Sequence, residues 1–335
     1  MSQTLKIAIP MAGLGTRLRP HTWSRPKPLL HLAGKTVLDY VLDQFNSLPD
    51  PENVEYIFII GPQGDQIKAF MEQHYPEKKA SYVVQETMRG QSDALYQARH
   101  LLSGPMLMTF ADTLIETNLT FLSHEASDMV AWVRAVPDPR RFGVAQINAQ
   151  GLVVRLIEKP TDMANNLAVV GYYYFHSSED LIAAIEEQMS RKIMLKGEFF
   201  LVDAINVMLE KGRQMRTQPV GVWLDAGTPE SLLDTNRYLL EHGHDNSTFT
   251  QQNGVAIIPP VFISPTAKIE SSVVGPYVSI GDDCSLTNAI VRNSILGDCV
   301  NVKNMILEDS LLGRDVTIEG QSTTFDLGDQ SWVKS

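Results

Sequence analysis

The chain has 335 residues, 44% of them hydrophobic and 20% charged, with a formal net charge of -11. This length suits two domains better than one, and the negative charge argues against non-specific binding to nucleic acid or to an anionic membrane surface. No apolar run approaches the roughly 20 residues of a membrane-spanning helix. The opening MSQTLKIAIPMAG has too short an apolar stretch, and no fitting cleavage site, for a secretory signal. Two cysteines, Cys284 and Cys299, make neither a disulfide framework nor a metal-ligand spacing, so a reducing cytoplasm is the expected compartment.

The first element, KIAIPM, reads as a buried strand. It breaks into GLGTRLRPHTWSRPKPLL, which sets Gly13, Gly15, Thr16, Arg17 and Lys27 directly after it. Glycines after a strand allow positive φ and let backbone N–H groups approach a phosphate. Arg17 adds a planar fork that is always charged, and Lys27 a compact point charge, a combination suited to a triphosphate. The spacing matches neither GxGxxG nor a P-loop. Taken alone, GLG is equally what a tight strand-to-loop turn with two solvated cations looks like.

A helical pattern follows, with Val37, Leu38, Val41, Leu42, Phe45 and Leu48 on one face. Then come the strand YIFII, a polar helix around residues 63 to 75, the strand SYVVQ, a helix from about Ser92 to Leu102 and the strand MLMTFAD. This alternation predicts a mostly parallel, doubly wound α/β sheet of Rossmann-like type, with ligands beyond the carboxyl ends of its strands. Residues 142 to 175 instead read as three β-rich runs, FGVAQI, LVVRLIEKP and VVGYYYF, expected as an antiparallel insertion beside the main sheet, which makes it mixed. Residues 1–240 form the expected first domain.

The polar stretch 241–254 reads as a linker. Beyond it, ISPTAKI, IGDDCSL, LGDCVNV and LGRDVTI start at Ile263, Ile280, Leu296 and Leu312, spaced 17, 16 and 16 residues apart. Each has aliphatic first and seventh positions and a small apolar fifth: Ala267, Cys284, Val300 and Val316. A fixed period with equivalent inward positions marks a solenoid. The pattern resembles the hexapeptide-repeat left-handed parallel β-helix, assigned here to 255–320 with a tail at 321–335. Cys284 is expected inside the ladder and Cys299 on the coil surface. The flat faces of such a helix can pack on neighbouring subunits, so a homo-oligomer is expected.

GLGTRLRPHTWSRPKPLL resembles the signature of the sugar-1-phosphate nucleotidylyltransferases, or NDP-sugar pyrophosphorylases. The likeness continues in the family's order through VVQETMRGQSDAL, TFADTLI, RFGVAQI, LIEKP, VVGYYYF, KGEFFLVDAI and VWLDAGTPESLLDTNRYLL, across residues 5 to 240. Some branches of the family also carry a C-terminal left-handed β-helix. The resemblance implies a nucleotidyltransferase domain that moves a nucleotidyl group from a nucleoside triphosphate to a sugar 1-phosphate and releases pyrophosphate.

Several roles follow from that resemblance. Arg17 and Lys27 would hold the phosphates, with Ala12, Gly13, Gly15 and Thr16 cradling the nucleotide. Asp112 and Asp225 would hold Mg2+, although Asp112 alone is what a turn or a helix cap also shows, and Asp225, in DAGT, what a turn shows. Gln85 and Gly90 match positions that read the nucleobase. Gly143, Glu158, Lys159, Val170 and Gly171 match the sugar-phosphate side, and Trp223 is a candidate for the sugar pocket or the core.

Departures leave the substrate open. Ala12 and Pro28 stand where many thymidylyltransferases have glycine and glutamine, and AGLGTR is closer to UTP–glucose uridylyltransferases. WLDAGTPESLLDTNRYLL looks like the long thymidylyltransferase branch, whereas PKPLL also occurs among mannose-1-phosphate guanylyltransferases. Lys196 replaces an arginine of some relatives, and TMRGQSDAL lacks the usual LG(T/L)-like run. UTP or dTTP is favoured, with glucose 1-phosphate. The rivals are a guanylyltransferase, a non-catalytic nucleotide-sugar sensor, and a bifunctional enzyme whose β-helix transfers acetyl groups. Against the last, residues from 255 onward contain no histidine.

Overall fold

A computed structural model describes residues 3–249 and 254–320. By contact the chain forms two units, one holding the residues up to Leu30 with Thr36–Ser231, the other His31–Lys35 with the chain from Leu232 onward.

In the first unit, strand β1 (Leu5–Met11) buries Ile7, Ala8 and Ile9 completely. After a short hairpin of β2 (His31–Leu32) and β3 (Lys35–Thr36), whose residues His31–Lys35 belong to the second unit, the chain returns to the first in helix α1 (Val37–Asp43). A capping box starts α1: Asp39 N–H donates to Thr36 Oγ1 at 3.1 Å, and Thr36 N–H donates to Asp39 Oδ2 at 2.7 Å. Its apolar face, including Val37, Leu38, Val41 and Leu42, is buried. Strand β4 (Val54–Ile60), helix α2 (Gly64–His74), strand β5 (Ala80–Val84), helix α3 (Gln91–Gln97) and strand β6 (Met106–Thr109) follow.

Strands β1, β4, β5 and β6 are parallel, in the order β6-β1-β4-β5. The chain therefore leaves β1 in one direction to β4 and β5, then crosses back to lay β6 on the other side. That reversal makes a topological switch point at the carboxyl end of β1, where open α/β sheets bind ligands.

Next come β7 (Thr113–Ile115), β8 (Met129–Ala135), β9 (Gly143–Ile147), β10 (Val153–Glu158) and β11 (Leu167–Phe175). The expected insertion is continuous with the main sheet. Tyr172 to Phe175 of β11 pair antiparallel with Thr109 to Met106 of β6, giving one nine-stranded mixed sheet. Every residue of β11 from Ala168 to Phe175 is buried, and a strand so apolar needs neighbours on both edges and cover on both faces. Helices α4 (Ser178–Ser190) and α5 (Leu201–Glu210) help supply the cover, through Leu181, Ile185, Leu201 and Ile205. Strand β12 (Met215–Pro219) runs parallel to β8, and β13 (Trp223–Asp225) forms a separate ribbon with β7.

Helix α6 (Pro229–Leu239) spans the division, which falls at 231/232 and not at 240. Asn236, on its buried face, explains why most of it belongs with the second unit: its Oδ1 accepts from Ala33 N–H at 3.0 Å and from Ser279 Oγ at 2.6 Å. Residues 256–319 of that unit form a left-handed parallel β-helix with three faces. Residues 256–257, 273–274, 290–292 and 306–308 line one; 261–263, 278–280, 295–296 and 311–312 the second; 268–270, 285–287, 301–303 and 317–319 the third.

Pairing across the coils repeats the 17, 16 and 16 residue spacing, as in Lys268–Ser285–Asn301–Thr317. Ala267, Cys284 and Val300 stack in the core, with Val316 half-buried above them. Cys299 sits one place away at a coil corner with φ 58°, equivalent to Asp283 and Asp315 at 54° and 58°. Part of the expected linker is ordered. Asn246 donates its N–H to Val261 O and bonds Ile263 through both side-chain atoms, satisfying backbone groups at the edge of the first coil. Residues 250–253 of that stretch, and the tail 321–335, lie outside the described residues.

Candidate active site

The chain leaves β1 through buried Ala12 into exposed Gly13. Gly61, just after β4, lies so near that a Cβ on it would sit 2.4 Å from Ala12 O, so only glycine lets these two strand ends lie side by side. Gly15 is left-handed at φ 57°, and its carbonyl accepts from Thr22 Oγ1 at 2.8 Å and from Leu18 N–H at 2.9 Å. These bonds hold one turn of 3-10 helix, Thr16–Leu18, which buries Leu18 and leaves Thr16 and Arg17 exposed. A second such turn, Lys27–Leu29, is anchored by buried Pro28 and Leu29.

The Lys27 ammonium is ion-paired with the Asp112 carboxylate. Strand β6 stops at Thr109, earlier than expected, because Thr113 N–H closes a turn onto Phe110 O at 3.2 Å; Asp112 stands in that turn. Asp225 is the last residue of β13 and lies opposite Thr113 in the β7–β13 ribbon. Ala226 N–H then donates to Asp112 O at 3.1 Å. A Cβ on Gly227 would fall 2.9 and 3.1 Å from the Asp225 carboxylate oxygens and 3.4 Å from Arg17 Nη2. Arg17, Lys27, Asp112 and Asp225 are thus brought together at the switch point. Among the described residues no group of three or more His, Cys, Asp or Glu is arranged to hold a metal ion.

Gln85 follows β5 and is 5% exposed. Its Nε2 donates to Asp93 Oδ2 at 2.9 Å and to Gly90 O at 3.3 Å, and Arg89 Nη2 donates to Asp93 Oδ1 at 2.7 Å. Gly90 is required sterically, since a Cβ there would lie 2.5 Å from Phe199 O and 2.7 Å from Phe199 N.

On the other side of β6 is a cavity of about 160 Å3. Gly143, Glu158, Val170 and Gly171 line it, with Trp223. Trp223 meets Phe142 edge-on, ring centroids 4.9 Å apart. Gly171, at φ 80°, leaves no room for a side chain beside the Phe110 ring, 2.5 Å from where a Cβ would be. Lys159 is the exception: it stands beside the lining, its Nζ 3.5 Å from Glu158 Oε1 and 4.6 Å from the Phe200 ring centroid. Burial pushes the Glu158 carboxyl above its ordinary pKa; Lys159 opposes the shift, and Asp203 and Glu198 add to it.

Sequence reasoning passed over Gly61, Gly227, Arg89, Asp93, Gln91 and Arg141. Arg141 and Gln91 line the cavity and adjoin motif glycines, Arg141 two residues before Gly143 and Gln91 directly after Gly90. The two glycines give no signal in sequence, because what forbids a Cβ at each is a group from another part of the chain or a partner across a turn.

Comparison with known proteins decides the family. A family model described as nucleotidyl transferase matches residues 8–242, more than half of the chain. The chain belongs to the nucleotidyl transferase family. Among curated relatives of this nucleotidyl transferase, a glucose-1-phosphate thymidylyltransferase from Streptomyces griseus is 26% identical over 87% of each chain. A low-salt glycan biosynthesis nucleotidyltransferase, Agl11 of Haloferax volcanii, is 31% identical over 85% of each. A bifunctional protein GlmU from Methanococcus vannielii is 28% identical over 75% of this chain, which spans 59% of that relative's length. A solved UDP-glucose pyrophosphorylase bound to UDP-glucose superposes with a TM-score of 0.60 at 21% identity, covering 72% of this chain and 99% of that one, which supports the fold.

Proposed function

We propose that this nucleotidyl transferase moves a nucleotidyl group from a nucleoside triphosphate, UTP or dTTP favoured, to a sugar 1-phosphate, glucose 1-phosphate favoured. One observation carries the reading: two cations and two carboxylates from distant parts of the chain meet beside a cavity of mixed apolar and polar lining with a half-buried carboxyl in its wall. The names of the thymidylyltransferase and glycan-biosynthesis relatives support the same class. In this reading the protein works in the cytoplasm as a homo-oligomer.

An oxygen of the sugar 1-phosphate attacks the α-phosphorus, the bond to the β-phosphate breaks, and pyrophosphate leaves. The chain's task is to hold two mutually repelling anions in line and to spread the charge that develops. Arg17, exposed and forked, meets the phosphates and the five-coordinate phosphorus. Lys27 is aimed at the same point by its pairing with Asp112. Two adjacent carboxylates fit an ion that keeps its other positions for phosphate oxygens and water, so Asp112 and Asp225 are the residues that would hold Mg2+. When bound, that ion would offset the negative charge of the phosphates. Glu158 accepts hydrogen bonds from sugar hydroxyls.

The test is a panel of triphosphates and sugar 1-phosphates with Mg2+, scored by pyrophosphate release. At least one pair is expected to react, and EDTA to abolish the reaction. Tight nucleotide-sugar binding without turnover for any pair would favour the sensor reading instead.

A further inference from the structure

The Gln85 side chain is tied to the protein through its nitrogen. Both of its amide hydrogens are directed inward, one to Asp93 Oδ2 at 2.9 Å and one to Gly90 O at 3.3 Å. Asp93 is fully buried, and its other oxygen is taken by Arg89 Nη2 at 2.7 Å. An amide has one donor end and one acceptor end. With the donor end committed, Oε1 is the end left to meet a ligand.

We infer that Asp93 is a positioning residue that makes Gln85 an obligatory acceptor, so that the site takes a nucleobase edge presenting an N–H to Gln85 and rejects one presenting a lone pair. This rests on the proposed reading of Gln85 as a nucleobase contact. A carboxylate is needed at this position because it can accept from Arg89 and Gln85 at once. An asparagine has a single acceptor oxygen, and the Arg89 cation competes for it more strongly than a neutral amide does. In Asp93→Asn the new side chain would then turn its NH2 toward Gln85, Gln85 would turn over, and a donor would face the base.

The experiment measures KM and kcat by pyrophosphate release for UTP, dTTP, GTP, ATP and CTP, in wild type, Gln85→Leu, Asp93→Asn and the double variant Asp93→Asn/Arg89→Met. Asp93→Asn is expected to raise KM for the preferred triphosphate about tenfold to a hundredfold, as for a mismatched buried hydrogen bond, with kcat changed much less. The double variant is expected to recover most of that loss, because without Arg89 the asparagine oxygen is free to accept from Gln85. A purely structural role for Asp93 would not be rescued by removing a second contact. If Gln85→Leu raises KM but Asp93→Asn does not, or if the double variant is worse than the single, the inference about Asp93 falls while the base contact stands. If Gln85→Leu leaves every KM unchanged, the base contact itself falls, and this inference with it.

Discussion

Lys27 and Asp112 form an ion pair across 85 residues of sequence, joining the loop after β1 to the turn after β6. Both side chains are largely shielded from solvent, 16% and 23% exposed. We predict that Lys27→Ala and Asp112→Asn each lower kcat by about two to three powers of ten, as for loss of one charge-stabilising group. Thermal melts should show a loss of stability as well, up to about 3 kcal/mol, because removing one partner leaves the other charge shielded and unpaired. A variant with full turnover would remove that residue from the phosphate site.

Gly227 supplies a sharper test of the geometry. Its missing side chain leaves room for the Asp225 carboxylate and the Arg17 guanidinium on one short piece of backbone. Gly227→Ala is expected to push these groups apart and lower kcat by at least about tenfold, since small misplacements of positioned groups cost that much or more. Its KM for sugar 1-phosphate should change less, the cavity being lined by other residues. Unchanged kcat would show that Arg17 and Asp225 do not act as a pair.

Glu158 makes a pH-dependent contribution to stability. Its carboxyl has a higher pKa in the folded chain than its ordinary 4.5, so the fold binds the proton more tightly than the unfolded chain. The stabilisation is fully present below 4.5 and is lost as pH rises through the folded-state value. Glu158→Gln should therefore melt higher than wild type at pH 7, with the margin vanishing as pH falls below the ordinary carboxyl value. The same variant should raise KM for sugar 1-phosphate. A pH-independent margin would remove Glu158 as the titrating group.

The two thiols should differ in reactivity. Burial pushes the Cys284 thiol up to about 11, and its Sγ–H donates to Gly297 O at 3.0 Å, whereas Cys299 is half-buried at a corner. A thiol reagent at pH 8 is expected to modify Cys299 in the native protein and Cys284 only after denaturation. Cys299→Asn, better suited to the left-handed corner, should stabilise by up to about 1 kcal/mol. Native labelling of both thiols would contradict the packing of the coil ladder.

Much was legible in the chain itself, and for physical reasons. The β-helix coils repeat every 16 or 17 residues because each must bury the same positions against its neighbour, so Ile263, Ile280, Leu296 and Leu312 mark its register directly. Strand β1 and the glycine-rich turn after it are likewise local events, set by apolar run length and by the φ that Gly15 must adopt.

What sequence determined alone, then, was periodicity and local conformation, along with the types of charged group at hand. Tertiary structure alone decided which groups meet: that β11 joins β6, that β13 pairs with β7 so Asp225 comes level with Thr113, and that Asp93 turns the Gln85 amide. The strand pairings join residues tens to more than a hundred positions apart, and their energies arise only once burial has brought the strands together. A one-dimensional pattern records which side chains are available; the sheet order determines which of them share a site.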